Sequence, residues 1–331
     1  MTRAAAIVLS YDGLELLEAM LPSLLAQRGV EFSVLLVDNG SSDGTEAATW
    51  PAGIQVLRIE RNIGVAAALN RGLESVGAAC EYIALLNNDV ELEPDWLARL
   101  GATLDAFPQA ASATGKTLDY HARDTIDAAG DTLMWSGAAT HRGIGERDVG
   151  QYDEPAAVFC PCAGVAVFRR SAFDVVGGFD EDFFAYQEDV DWGLRAQLAG
   201  FTARYEPSAV AYHMGGATTG RDQRRYGLLQ RRNQILVPLK SFPLRALLRH
   251  APKIVSYQAG WVVAAAHEGM LPEQLRALWA AILATPRTLR KRRGIERNVS
   301  LAYLDSVMTP VPYAGQGPLK RARGILSKLR R

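Results

Sequence analysis

Between Gly177 and Arg195 the chain reads GGFDEDFFAYQEDVDWGLR, which sets Asp180, Glu181, Asp182, Glu188, Asp189 and Asp191 among Phe179, Phe183, Phe184, Tyr186 and Trp192. A solvated acidic face has no use for those aromatics. Carboxylates held among rings are partly desolvated, which raises their proton affinity and suits one of them to general-base work. The plainer reading is an acidic helix start, since Asp and Glu favour the positive end of a helix dipole.

Other polar clusters interrupt apolar runs. Asn87-Asn88-Asp89 follows YIALL and reads either as a helix-capping loop or as a site where Asp89 holds a hard divalent cation shared with a diphosphate. His213 follows an apolar run and precedes Gly215 and Gly216, which permit close approach of a ligand; a lone histidine is otherwise structural. Asp38 caps the turn after it or accepts a hydrogen bond from a nucleotide base or ribose. Gln230-Arg231-Arg232-Asn233 follows the basic run Arg221 to Arg225. Surface arginines are usually solvated, but near a diphosphate their forks neutralise a leaving group. Neither GxGxxG nor GxxxxGK[ST] occurs at the first β-α turn, which argues against dehydrogenase and ATPase readings.

These residues must be positioned by strands and turns. Ala4–Ser10 reads as a buried parallel strand and Ser33–Asp38, Ile54–Arg58 and Tyr82–Leu86 as further strands, with helices over about 13–27 and Val65–Ser75 and a short one after the Gly40–Gly44 turn. Four β-α units predict a doubly wound, mostly parallel sheet whose ligands bind at the carboxyl ends of its strands. From Ser112 to Arg170 short strands and turns take over, and Val165–Phe168 is expected to rejoin the sheet. The acidic stretch leads into a helix ending near Gly200, Val210–Tyr212 is a short strand, and helices broken by Pro243, Pro252, Pro272 and Pro286 follow Phe242.

The 331 residues carry no net charge, yet residues 1–242 hold 20 Lys+Arg against 32 Asp+Glu and residues 243–331 hold 16 against 4. An acidic body binds anions through metal ions and backbone N–H groups, and gives no reason to expect a nucleic-acid partner. The basic tail, with Trp261, Trp279 and the run Arg287 to Arg293, suits an anionic membrane surface. Packing on the catalytic domain or on a second subunit, as in a homodimer, is the alternative. Cys80, Cys160 and Cys162 make no disulfide framework, and Cys160 and Cys162 read as small buried residues. Without a signal peptide or an apolar run of the roughly 20 residues that span a bilayer, a cytoplasmic protein, peripheral on the inner membrane face, is expected.

Taken in order, Val8-Leu9-Ser10-Tyr11, Val37 to Gly44, Asn62-Ile63-Gly64, Asn70-Arg71-Gly72, Leu85 to Asp89, Gly177 to Glu181, Glu188 to Trp192 with Arg195, His213 and Arg232-Asn233 resemble glycosyltransferase family 2, in its bacterial rhamnosyltransferase-like branch. The resemblance covers about residues 4–240. It implies a GT-A fold in residues 1–242, followed by a basic helical extension in 243–331. It also implies inverting transfer of a sugar, L-rhamnose first among the candidates, from a dTDP- or UDP-sugar to a glycan or polyprenyl-linked acceptor. Ser10, Tyr11, Asp38, Asn39, Asn62, Gly64, Asn70 and Asn88 would bind the donor, and Arg232 its leaving diphosphate. Asp89 and His213 would hold Mg²⁺ or Mn²⁺. Asp189, beside Glu188, matches the family's base, with Asp191 its competitor; Trp192 and Gly164 would face the acceptor. One departure weakens the metal site: Asn87 stands where the family often has the first carboxylate of Asp-x-Asp. Transfer of GlcNAc or galactofuranose, or donor binding without catalysis, are the other readings.

Overall fold

A computed structural model describes residues 3–77, 80–215 and 223–309, with Gln223 and Arg224 as backbone alone. The amino-terminal half runs β1 (Ala4–Ser10), α1 (Leu14–Leu25), β2 (Phe32–Asp38), β3 (Ile54–Arg58), α2 (Val65–Val76), β4 (Tyr82–Asn87), β5 (Val90–Leu92), α3 (Trp96–Ala106) and β6 (Ala110–Asp119). Short strands follow: β7 (Ile126–Ala128), β8 (Asp131–Leu133), β9 (Ala139–His141), β10 (Ala156–Val158) and β11 (Val165–Arg169). Then come α4 (Arg170–Val176), α5 (Glu188–Ala199), β12 (Thr202–His213) and the helices α6 (Gln223–Ser241), α7 (Leu244–His267), α8 (Leu271–Lys291) and α9 (Leu301–Val307).

The main sheet has the order β10-β12-β6-β11-β4-β1-β2-β3 and is mostly parallel, with β11 and β10 running against their neighbours. Every residue of β1 is buried, so both of its faces are covered. Ala4, Ala6 and Val8 pack towards α1 and α3, while Ala5, Ile7 and Leu9 pack towards α2, α4 and α5. That alternation makes a three-layer sandwich. A further core joins Leu133 and Trp135 of the β8–β9 region and Val190 and Leu194 of α5 to Leu236, Phe242, Ala246, Ala281 and Leu304 of the C-terminal helices. The C-terminal helices are thus continuous with the hydrophobic interior behind the acidic stretch.

Several expectations need correction. No helix follows the Gly40–Gly44 turn; the segment to β3 is turns and irregular chain. The last sheet strand is twelve residues rather than three, because Pro207 sits in a register shift between Glu206 and Val210 and does not end it. In the tail, Pro252 and Pro286 lie inside α7 and α8, whereas Pro243 and Pro272 start those helices as read. Gly216, Arg221 and residues 310–331 lie outside the described residues. Among the described residues, no helix is long and apolar enough to cross a membrane.

Candidate active site

The parallel registers bring Ser10 beside Asp38 and Leu9 beside Asn87, so the carboxyl ends of β1, β2 and β4 finish together. They border a cavity of about 830 Å³. Tyr11, Asn39, Asn62, Gly64, Asn88 and Gly164 line it; Ser10, Asp38 and Asn70 do not. Asn39 ties the loop after β3 to β2: its Nδ2 donates to Asn62 Oδ1 at 3.3 Å, and its Oδ1 accepts from Ile63 N at 3.1 Å. Ser10 is a support, its Oγ accepting from Asn88 Nδ2 at 2.9 Å. Asp38 Oδ1 caps Ser41 N at 3.0 Å, while Oδ2 is buried without a hydrogen bond, 3.5 Å from Arg58 Nε. Asn70 braces α2 to the acidic stretch through Phe179 N and O at 2.8 Å each.

A candidate cation site lies where β5 turns back on β12. Pairing of Val90 with His213 places Asp89 beside the imidazole, whose Nε2 is 3.4 Å from Asp89 Oδ1. His213 Nδ1 is 2.9 Å from Asp127 Oδ2 on β7. A carboxylate that fixes one imidazole nitrogen and frees the other for a metal is a common outer-shell arrangement. Asp89 Oδ1 is buried and accepts no hydrogen bond, keeping only the longer 3.4 Å ion contact with His213, so it has capacity to ligate a metal cation. Against burial, Asp127 and Asp89 push His213 up to about 10, which marks how negative this corner is. The residues therefore fit a divalent ion that accepts mixed oxygen and nitrogen ligands.

The acidic stretch enters the cavity by a strained turn. Phe184, Tyr186 and Gln187 have φ of 65°, 67° and 69°, each left-handed without glycine, at a cost of about 1–3 kcal/mol apiece. The turn is held from α6: Asn233 Nδ2 donates to Phe183, Ala185 and Tyr186 carbonyls at 3.0, 2.9 and 2.7 Å. Arg232 Nη2 donates to Asp182 O at 2.6 Å and Phe183 O at 2.9 Å. Arg232 is thus a strut under the turn and does not line the cavity, contrary to its expected contact with a diphosphate; Arg231 does line it. At the start of α2, Ala66 N donates to Phe184 O at 3.3 Å, and a Cβ at Gly64 would stand 2.6 Å from that oxygen.

The fold then separates the three candidate carboxylates. Asp191 is fully buried, 2.9 Å from Arg195 Nε, 2.6 Å from Lys240 Nζ and 3.1 Å from Ser241 Oγ, so it is a neutralised structural anion turned away from the cavity. Glu188 lines the cavity with Oε2 buried and unbonded; burial and the neighbouring Asp189 charge push it well above the usual carboxylate range. Asp189 also lines the cavity, accepting from Val190 N at 2.8 Å and Ala163 N at 3.4 Å. Burial first, and the charge of Asp131 second, push it up to about 6, near the value a base at neutral pH needs. Trp192 is buried among Phe168, Phe173 and Phe179 with Nε1 bonded to Gly177 O, so it supports α5 and is not placed to meet an acceptor.

The sequence reading missed Asp127, Asp131, His141 and the clamp made by Asn233. Asp131, His141 and Cys162 bring one potential ligand atom each to within 4.8 Å of one another, so the fold supplies Cys162 with partners that its spacing from Cys160 does not suggest. The signal for Asn233 was present in the Arg232-Asn233 pair; for the other three, nothing in the local sequence marks them.

Residues 5–177 match the model of glycosyl transferase family 2. Among curated proteins, an N-acetylglucosaminyl-diphospho-decaprenol L-rhamnosyltransferase of Mycobacterium tuberculosis is 29% identical over 248 residues, spanning 65% of this chain and 77% of that protein. A poly-beta-1,6-N-acetyl-D-glucosamine synthase of Staphylococcus epidermidis is 23% identical over 214 residues, 63% of this chain and 49% of that one. Among solved structures, Staphylococcus aureus TarS 1–349 aligns with a TM-score of 0.57 at 16% identity, covering 99% of this chain and 91% of that one. GalNAc-T7, solved with UDP, GalNAc and Mn²⁺, gives 0.56 at 14% identity over 72% of this chain and 47% of that one. Mannosyltransferase PcManGT from Pyrobaculum calidifontis, with GDP-Man and Mn²⁺, gives 0.53 at 19% identity over 92% and 87%. The fold is of the GT-A type, and with more than half its length matched the chain belongs to glycosyl transferase family 2 and is a glycosyltransferase.

Proposed function

We propose that this glycosyltransferase is inverting and metal-assisted, moving a sugar from a nucleotide diphosphate donor to a hydroxyl of a glycan or polyprenyl-linked acceptor in cell-surface polysaccharide synthesis. The observation that carries the reading is that Asp189, with its raised proton affinity, and the unbonded Asp89 beside His213 border one cavity. Asp189 takes the proton of the acceptor hydroxyl as that oxygen bonds the anomeric carbon. The bond from that carbon to the phosphate oxygen breaks on the far face, and the configuration inverts. Asp89 and His213 would hold Mn²⁺ or Mg²⁺, which when bound supplies positive charge to the departing diphosphate. Arg231, in the lining, replaces Arg232 as the side chain that meets that charge.

L-rhamnose from a dTDP- or UDP-donor is the leading donor because the Mycobacterium tuberculosis relative is named for that sugar, and a polyprenyl diphosphate acceptor follows from the same name. GlcNAc and galactofuranose are the competing sugars. A lipid-linked acceptor also gives a use to α7 and α8, which expose Leu248, Val255, Trp279, Ile282 and Leu283 and carry Arg249, Lys253, Arg276 and Arg290. That composition suits peripheral binding to an anionic leaflet.

The test is turnover across a panel of nucleotide sugars with Mn²⁺, Mg²⁺ or EDTA, with and without anionic vesicles carrying a polyprenyl-linked GlcNAc acceptor. One donor consumed only with metal, and faster with vesicles that also sediment the protein, is the expected result. Donor binding without turnover under every condition would sink the catalytic reading.

A further inference from the structure

Asp131 and His141 have no part in the mechanism above, although both line the same cavity. They are register partners across the β8–β9 hairpin, with His141 Nδ1 2.5 Å from Asp131 Oδ1. The hairpin is fixed. Asp131 N donates to Cys160 O at 2.8 Å, Arg142 N to Gly130 O at 2.8 Å and Ala129 N to Arg142 O at 2.9 Å. Gly130 holds a left-handed φ of 88°, where a Cβ would come within 2.8 Å of Val158.

The same hairpin abuts the base. Asp131, His141 and Cys162 converge within 4.8 Å, and Ala163, the next residue, gives its N–H to Asp189 Oδ2. Asp131 is 4% exposed, so it is a second anion withdrawn from water on the base's side of the cavity. Two carboxylates so placed resist joint ionisation unless a cation intervenes.

We propose that the Asp131–His141 pair is a positioning element for the base: a near-neutral couple that keeps Asp189 ionised beside a buried carboxylate and leaves the second imidazole nitrogen for the acceptor hydroxyl. The proposal rests on Asp189 being the base. His141 is the counter-charge, because Asp131, against burial, pushes it up to about 9, so it stays protonated through the working range. No other group facing Asp189 supplies one among the described residues that pack there. On α5 Glu188, its proton affinity raised by burial, offers no positive charge, and Asp191 is tied to Lys240 and Arg195. The Cys160 and Cys162 thiols of the β10–β11 loop are raised by burial and uncharged. Asp127 on β7 is committed to His213, which sits with Asp89 at the cation site. From α6 and α7 the cavity receives Tyr226, Arg231 and Tyr257, with Arg231 placed over the Trp261 ring.

The test is a ¹³C NMR titration of the full chain carrying ¹³Cγ-aspartate, with the Asp189 signal assigned through Asp189→Asn. Removing the cation by His141→Gln should raise the Asp189 midpoint by about half a pH unit or more. Removing both charges in the double variant Asp131→Asn/His141→Gln should bring it down to the wild-type value or below, a compensation that a packing defect would not produce. Wild type alone should show a second inflection of the same signal near pH 9 as His141 loses its proton, which covers the case of a variant that does not fold. An unmoved midpoint in His141→Gln, a double variant no lower than His141→Gln, or no second inflection would overturn the pair. Stoichiometric Zn²⁺ uptake abolished by Cys162→Ser would overturn it in favour of a metal centre. If the midpoints move as expected while Asp189→Asn keeps its turnover, the electrostatic pair stands and the base assignment fails.

Discussion

Within the twelve residues from Asp180 to Asp191 the fold treats two groups of carboxylates in opposite ways. Asp180, Asp182 and Asp191 are each given cations from the C-terminal helices or their own helix: Lys240 and Lys291 for Asp180, Lys291 and Arg287 for Asp182, Lys240 and Arg195 for Asp191. Against burial, Lys240 and Lys291 hold Asp180 down at about 2. Among the described residues of those helices Glu188 and Asp189 receive no such partner, and their proton affinities rise. Both groups include a buried member, Asp191 in one and Glu188 in the other; what separates them is whether the C-terminal helices supply a counter-ion. Part of the basic tail therefore serves the acidic stretch directly, and only the remainder is available to an anionic surface.

The contrast can be broken at either end. Asp189→Asn should cut turnover by about 10²–10⁴-fold, the usual worth of a general base. The same change should leave the thermal midpoint at pH 7 unchanged or higher. A carboxylate whose folded pKa is raised stabilises the fold at low pH and loses that contribution as pH rises through about 4 to 6, so the neutral amide escapes the penalty. For the same reason wild-type turnover should fall on the acid side of about pH 6. A thermal midpoint that drops by many degrees would instead class Asp189 with the structural anions.

Lys240→Met attacks the other group. It strips a cation shared by Asp180 and Asp191, both nearly inaccessible, and should destabilise the protein by about 3–5 kcal/mol in denaturant unfolding. An effect below 1 kcal/mol would mean that Arg195 and Lys291 suffice. Arg287→Ala, by contrast, removes a side chain 70% exposed and should cost less than about 1 kcal/mol, diminishing with salt. A larger loss would show that the rim of the network is as important as its centre.

Sequence alone carried the framework well where local pattern decides structure. The continuous apolar runs of β1, β2 and β4 locate the sheet and the polar residues that end them, and Gly200 closes α5 with a φ of 99°. It failed where the deciding partner is distant. Asp191 and Asp189 differ by two positions in the chain, and the cation that distinguishes them, Lys240, lies 49 residues away. Asp131 and His141 join through a hairpin in a region whose local sequence carries no recognisable motif. Proline misled at Pro252 and Pro286, which lie inside α7 and α8, because tertiary packing absorbs a break that local rules predict.

The contact of the Asn62–Gly64 loop with Phe184 has a kinetic consequence. Gly64 meets the left-handed turn that leads to Asp189 at a van der Waals boundary with no space for even a methyl group, and Ala66, in the first turn of α2 behind the loop, gives that turn a hydrogen bond. A ligand that settles on that loop thereby fixes the place where a hydroxyl must later arrive. Steady-state kinetics should accordingly be sequential and ordered, donor first, with a dead-end acceptor analogue inhibiting uncompetitively against the donor.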